Sequence, residues 1–328
     1  MQVNDDQVAL LRQEITEIRD LCITNSKTLT YLAESIGSAA TRTLLSVWQQ
    51  RVIEACGFAF EKILLGGSYG AVEIRSQSGE SLVLKVFPIE SENKVRRGVE
   101  VARQIRSQGV PVPQGLSAGT VAGVTFTLQQ KCPGLPPRNL SFVQAQQIVE
   151  NLEKQKEIYD ASNGFGQRLI QALVEGDIDI WCDHLPIISF GGRPTKLLRE
   201  LQSIGPQLSS DLFRSLDGVH WDASHRNALF ESDQLTAVID WEAAIQGDYR
   251  FDLENLYFWA RVHRGNEVDE EACEYLDSCV LSKVDSDARV GLCALVCLHH
   301  LYFMTTNRPD LVDSYIDNVE RYLAPAWR

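Results

Sequence analysis

Three groups able to bind metal or move protons fall at fixed offsets in the second half of the chain: Asp222, Asn227 five residues on, and Asp240 thirteen further. The first two sit in His220-Trp221-Asp222-Ala223-Ser224-His225-Arg226-Asn227, and the third in Thr236-Ala237-Val238-Ile239-Asp240-Trp241-Glu242. Phosphoryl transfer from ATP uses such a set. One carboxylate orients the attacking hydroxyl, while an amide and a second carboxylate hold the magnesium that neutralises the phosphates. The H-x-D-x-x-x-x-N spacing followed by D-x-[DE] is far more specific than a lone aspartate or glycine pair. These residues point to kinase chemistry.

The elements that must position them change in period along the chain. Residues 1–50 read as a helical extension, with Leu11, Ile15, Ile18 and Cys22 forming an amphipathic stripe and a second segment ending near Gly57. Phe58 to Leu65, Ala71 to Arg75 and Ser81 to Phe87 alternate or run β-branched, separated by Gly66-Gly67-Ser68-Tyr69-Gly70 and Ser76-Gln77-Ser78-Gly79, which predicts an antiparallel meander. A helix from about Glu92 to Gln108 and a strand pair through Thr125-Phe126-Thr127-Leu128 follow. The proline-rich Gln129 to Pro137 then breaks the pattern and divides a sheet-rich lobe, 51–132, from a larger helical lobe, 133–328. In that second lobe, helices are expected at about 141–160, 164–176, 194–203 and 207–216, and from about Leu253 onwards. The class is α+β and bilobal.

The ordered set Gly-Gly-Ser-Tyr-Gly, Val83-Leu84-Lys85, Gly109-Val110-Pro111-Val112-Pro113, a joint ending in Pro133-Gly134, H-x-D-x-x-x-x-N and Val-Ile-Asp240-Trp-Glu resembles the aminoglycoside phosphotransferase and choline-kinase-like family. The resemblance covers roughly residues 50–260 and implies the protein-kinase fold, ATP as phosphoryl donor and Mg2+ as its ion. It implies that Asp222 is the catalytic residue orienting the acceptor hydroxyl, with Asn227 and Asp240 as magnesium ligands whose hard oxygens suit that ion. His220 and Asp252 would brace the catalytic loop, and Glu242 would assist through a water. Lys85, flanked by apolar residues, is costly to bury without anions, and nucleotide phosphates would supply them. Gly66, Gly67, Ser68 and Gly70 would let backbone N–H groups approach those phosphates. Gln130, Lys131 and Cys132 are the joint residues available to adenine.

Departures from the family pattern matter too. The glutamate that usually pairs with the strand lysine falls at Gly98, which cannot serve, and leaves Glu100 as the alternative partner. Trp221 replaces the small residue, usually glycine, between His and Asp. His225 and Arg226 replace a common Pro-Gly, and Arg226 is open to two roles, phosphate stabiliser or salt bridge. Only about a dozen residues separate Asp240 from the helix near Leu253, too few for a peptide-docking activation segment, so a small-molecule acceptor is favoured.

Bulk properties narrow the partners. A net charge of −13 argues against nucleic acid. Between Glu231 and Asp277, 13 acidic residues face three arginines and no lysine, which suits a cationic hydroxyl acceptor or a merely solvated face. Asp177, Asp179, Trp181, Asp183, Glu242 and Trp259 are candidates to contact it. The acceptor stays open between an aminoglycoside or peptide antibiotic, a secondary-metabolite intermediate, and a primary metabolite such as choline or homoserine. A catalytically silent nucleotide-binding protein on the same fold is the remaining class. The eight cysteines lack a C-x-x-C pair and read as buried thiols rather than zinc ligands. The apolar run Val290–Leu298 is short for a membrane span, and the N-terminus lacks the marks of a signal peptide, so the expected address is cytoplasmic with no membrane partner. A homodimer through the N-terminal helices is a further expectation.

Overall fold

The computed structural model describes residues 46–64 and 70–326. The stripe of Leu11, Ile15, Ile18 and Cys22, the dimer expectation built on it, and Gly66, Gly67 and Ser68 lie outside the described residues. Two compact units divide the chain: one runs through Arg96 and includes Pro113–Lys131, the other comprises Arg97–Val112 and everything from Cys132 onwards.

The first unit is built on a helix and a sheet. Helix α1, Val47–Cys56, begins at a capping box in which the Ser46 hydroxyl accepts from the Gln49 N–H and the Gln49 side chain accepts from the Ser46 N–H. It stops at Gly57, whose φ of 66° an L-residue adopts only with strain. Strands β1 (Ala59–Leu64), β2 (Ala71–Arg75), β3 (Ser81–Pro88), β4 (Ser117–Val121) and β5 (Val124–Gln130) form an antiparallel sheet in the order β1-β2-β3-β5-β4. Strand alternation decides the faces: Val72, Ile74, Leu84, Val86 and Val124 join Val52 and Ile53 of α1 in one apolar cluster. Lys85, between Leu84 and Val86, falls on the opposite face, half-buried on the central strand and opposite Ala71 and Thr127.

Helix α2, Glu92–Ser107, runs on into the second unit. That unit is mainly helical: α3 (Phe142–Glu153), α4 (Phe165–Glu175), α5 (His184–Phe190), α6 (Gly192–Ile204), then β6 (Asp217–Val219), β7 (Ala228–Glu231), β8 (Gln234–Val238), β9 (Ile245–Gly247), α7 (Arg250–Val262), α8 (Glu270–Lys283), α9 (Ser286–Asn307) and α10 (Val312–Ala326). The α+β class stands. Helix α9 is long and apolar enough, by length and composition, to cross a membrane, longer than the nine-residue run suggests. Yet 61% of its most apolar window is buried inside this unit, as in a core helix. The cysteines among the described residues are free thiols.

Two expected helices are corrected. The one expected to 160 stops at Glu153. The chain then turns through Glu157, at φ 54°, whose N–H donates to buried Asp217 at 2.8 Å. The segment 207–216 forms only a short turn at Ser210–Leu212. Here the Arg214 N–H donates to Asp248 at 3.0 Å and Arg250 donates to the Leu212 carbonyl at 2.8 Å. Buried carboxylates and a guanidinium capture backbone groups that a helix would have used.

Candidate active site

Asn227 and Asp240 stand at the two ends of one β-hairpin. Asn227 immediately precedes β7 and Asp240 follows β8, with Ala228 opposite Val238 and the Ile239 N–H donating to the Asn227 carbonyl at 2.9 Å. Ser232 and Asp233 close the hairpin with positive φ at both positions, the two-residue turn whose twist matches paired strands. Thr236 is a bulge residue, held by donation to the Pro133 carbonyl at 2.6 Å. A thirteen-residue gap in sequence thus becomes adjacency in space. Asp222 joins them because Asn227 donates to its carboxylate at 2.9 Å and to its carbonyl at 2.8 Å.

That bond pattern bears on metal binding. With the Asn227 nitrogen committed to Asp222, its oxygen is the atom left as a hard donor. Asn227 and Asp240 therefore offer the oxygen chemistry Mg2+ requires. Among the described residues no cluster of three or more His, Cys, Asp or Glu could hold a metal alone. Mg2+ in nucleotide sites is completed by phosphates and waters, so the donor set fits the ion.

The loop is braced from behind. Asp252, fully buried, accepts the backbone N–H of His220 at 2.6 Å and of Trp221 at 2.9 Å. Burial pushes its carboxyl up to about 8 against the pull of those two donors. The His220 Nε2–H donates to the Ile239 carbonyl at 2.7 Å, which leaves Nδ1 to accept the Asp222 N–H at 3.3 Å. One imidazole therefore spans from the loop of Asp222 to the strand end before Asp240. Trp221 explains the family's preference for glycine at its position: its φ is 75°. The left-handed backbone is held because the ring is fully buried, stacks on Phe251 at 4.1 Å and donates its indole N–H to the Ile180 carbonyl at 3.0 Å.

Arg226 takes the salt-bridge role: both Glu267 oxygens accept from its Nη2 at 2.8 Å, and the same carboxylate lies 3.3 Å from His225 Nε2. Burial pushes His225 below the usual histidine range.

Other candidates are placed as follows. Glu100 lies on the exposed face of α2, paired with Arg103 at 3.2 Å and Gln104 at 3.1 Å. The Gln130 N–H is taken by the Gln114 carbonyl at 2.8 Å and that of Lys131 by Ser81 at 3.2 Å, so neither amide is available to a base. Cys132 is half-buried and burial pushes its thiol up. Asp177 is a structural group, capping the turn at Ile178–Ile180 and bonded to Arg168 at 2.7 Å. Asp183 caps α5 through the Leu185 N–H. Asp179 is 60% exposed, and Glu242, Trp181 and Trp259 are partly exposed. Much of the acidic run is internally matched: Asp248 by Arg250, Glu254 by Arg289, Glu267 by Arg226, Glu270 by Arg264 and Asp277 by Tyr257.

Sequence reasoning gave no role to Asp217, Asp248 and Arg250, which fix β6 and the start of α7. The signal for Asp248 and Arg250 was present in Gly247-Asp248-Tyr249-Arg250-Phe251-Asp252, where they and Asp252 are three charges inside an otherwise apolar stretch that must be buried together.

A sequence model of the phosphotransferase enzyme family matches residues 63–278. The chain is 22% identical over 179 residues to a hygromycin-B 4-O-kinase of Escherichia coli, spanning 48% of this chain and 51% of that enzyme, so it matches about half of that relative's length. Among solved structures, a thermostable mutant of aminoglycoside phosphotransferase APH(4)-Ia in ternary complex with ADP and hygromycin B aligns with a TM-score of 0.60 at 17% identity, covering 84% of this chain and 97% of that one. The amicoumacin kinase hAmiN, in complex with AMP-PNP, Ca2+ and Ami, aligns with a TM-score of 0.52 at 14% identity, covering 84% and 93%.

Proposed function

The chain belongs to the phosphotransferase enzyme family, and we propose that it moves the γ-phosphoryl group of ATP onto a hydroxyl of a small, cationic acceptor. The observation that carries this reading is the Asn227–Asp222 pair, in which an amide aims a carboxylate at 2.9 Å while keeping its own oxygen for a metal. Asp222 orients the acceptor hydroxyl and takes its proton. The acceptor oxygen forms a bond to the γ-phosphorus, the bond from that phosphorus to the bridging oxygen breaks, and ADP leaves. Asn227 and Asp240 hold Mg2+, which neutralises phosphate charge when bound. Lys85 and the loop carrying Gly66, Gly67, Ser68 and Gly70 bind phosphate oxygens.

The acceptor is read as an antibiotic of the aminoglycoside or peptide type, or a biosynthetic precursor of one. The names of the relatives support it: one is a hygromycin-B kinase, another an amicoumacin kinase. Exposed Asp179 and partly exposed Glu242 are acids a polycation could meet. The reading places the enzyme in the cytoplasm, where ATP is supplied.

The test is a screen of cationic hydroxyl compounds for ATP consumption, with the product mass measured for one added phosphoryl group. Asp222→Ala should lower turnover about 10²–10⁴-fold, the contribution of a positioned general base, with nucleotide binding nearly unchanged. Undiminished turnover in that variant would overturn the assignment.

A further inference from the structure

Helix α2 touches the segment after Asp240 with bare backbone. A Cβ built on Gly98 would lie 2.4 Å from the Trp241 carbonyl oxygen and 2.8 Å from that of Glu242. Both atoms belong to the main chain, so no change of rotamer could relieve the overlap. The helix is seated on this turn as closely as its backbone permits, and only glycine permits it.

The turn needs such a seat. Trp241–Ala243 forms a single turn whose leading residue, Asp240, has φ 70° and ψ 48°. A residue with a side chain holds that left-handed conformation only where its surroundings over-determine it. From one side, the Trp241 indole N–H donates to the Val238 carbonyl at 2.6 Å, and its buried ring meets His220 edge-on at 4.5 Å. From the other, the main chain of α2 lies against the Trp241 and Glu242 carbonyls at Gly98. The Trp241 carbonyl also accepts the Ala244 N–H at 3.0 Å, which closes the turn.

We propose that Gly98 is a positioning residue that clamps the turn Trp241–Ala243 and so fixes the backbone of Asp240 before any metal or nucleotide arrives. The proposal rests on the reading of Asp240 as a magnesium ligand. A helix with no side chain at the metal thereby sets the affinity for it, because the ordering of the ligand is completed during folding rather than on binding.

Gly98→Ala is compared with Val101→Ala, a buried position three residues further along the same helix. Binding of AMP-PNP is measured by calorimetry across a magnesium titration. Gly98→Ala should require about tenfold more Mg2+ for half-maximal binding, because the left-handed backbone of Asp240 is no longer held in place. Val101→Ala should stay within about twofold, since buried truncation lowers stability without moving the ligand. Equal magnesium dependence in the two folded variants would overturn the proposal. Hydrogen exchange of the unmodified protein gives a second reading that needs no variant. The Ala244 amide should be protected without metal or nucleotide, and Mg2+ with AMP-PNP should add nothing. An amide that exchanges freely and becomes protected only on loading would overturn the clamp. If the unmodified protein binds no Mg2+ with AMP-PNP, the kinase reading fails instead, and the Ala244 amide alone decides whether the clamp exists.

Discussion

Asn227 donates its side-chain N–H groups to both the carboxylate and the carbonyl of Asp222, at 2.9 and 2.8 Å. One residue sets the direction of the other. Asn227→Asp removes both donors and sets a second carboxylate beside the first, so Asp222 turns away. Turnover at saturating Mg2+ should fall about 10²-fold, the scale for a misplaced catalytic group. A kcat within a few-fold of the parent would show that Asp222 is aimed by something else.

Trp221 sets backbone strain against packing. Trp221→Gly frees the left-handed backbone but empties the space beside Phe251, and truncations of this size cost about 3–5 kcal/mol against about 1–3 for the strain relieved. Trp221→Phe keeps the stack on Phe251 but leaves the Ile180 carbonyl only the weak Cys182 thiol donor at 3.4 Å, costing about 1 kcal/mol. Urea denaturation should find both variants less stable than the parent. A glycine variant as stable as the parent would mean that strain, rather than packing, dominates at this site.

Arg250 and Asp248 form a buried ion pair at 2.7 Å, 7% and 0% exposed. Arg250→Met leaves the buried Asp248 carboxylate only the backbone N–H groups of Arg214 and residue 250, and breaking a buried pair in this way costs about 3–5 kcal/mol. Adding Asp248→Asn should restore part of that loss in thermal unfolding. If the double variant is no better than the single, the damage comes from the lost bond to the Leu212 carbonyl.

Five of the six histidines are pushed below their usual range by burial: His184, His225, His263, His299 (to about 4) and His300. A depressed basic group binds fewer protons folded than unfolded, so its stabilisation is complete above the unfolded value near 6.5 and is lost as pH falls below it. For His299, lowered to about 4, the slope approaches about 1.4 kcal/mol per pH unit between those two values. Thermal midpoints should therefore drop steeply between about pH 6.5 and 4. His299→Gln should flatten the drop. A His299→Gln variant whose midpoint falls as steeply as the parent's would show that this ring does not carry the drop.

The strands β1 to β3, helix α2 and the spacing of Asp222, Asn227 and Asp240 were legible because each rests on local pattern: alternation, periodicity, or a hairpin of fixed length. What sequence alone did not reveal depends on partners distant along the chain. The segment 207–216 has the composition of a helix, yet Asp248 and Arg250 claim its backbone from more than thirty residues away. Asp177 and Asp183 looked available to a cationic acceptor, but each caps a turn or helix of its own. Glu100 shares a helix with residues that pack inward and itself faces water. The Trp221 departure was visible as a substitution. Its backbone strain became visible only once Asp252, Ile180 and Phe251 were in place around it.

The hairpin between Asn227 and Asp240 limits how the distance between them can vary. Adding one residue to each strand would lengthen the arm by a pair and leave the base, where Ile239 bonds to Asn227, in register. Adding a single residue would either reverse the facing of everything beyond it or demand a second bulge beside Thr236. Insertions and deletions in this segment should therefore be tolerated in steps of two at the Ser232-Asp233 tip, and odd changes should cost the site its geometry even though the altered residues lie a full hairpin's length from the chemistry.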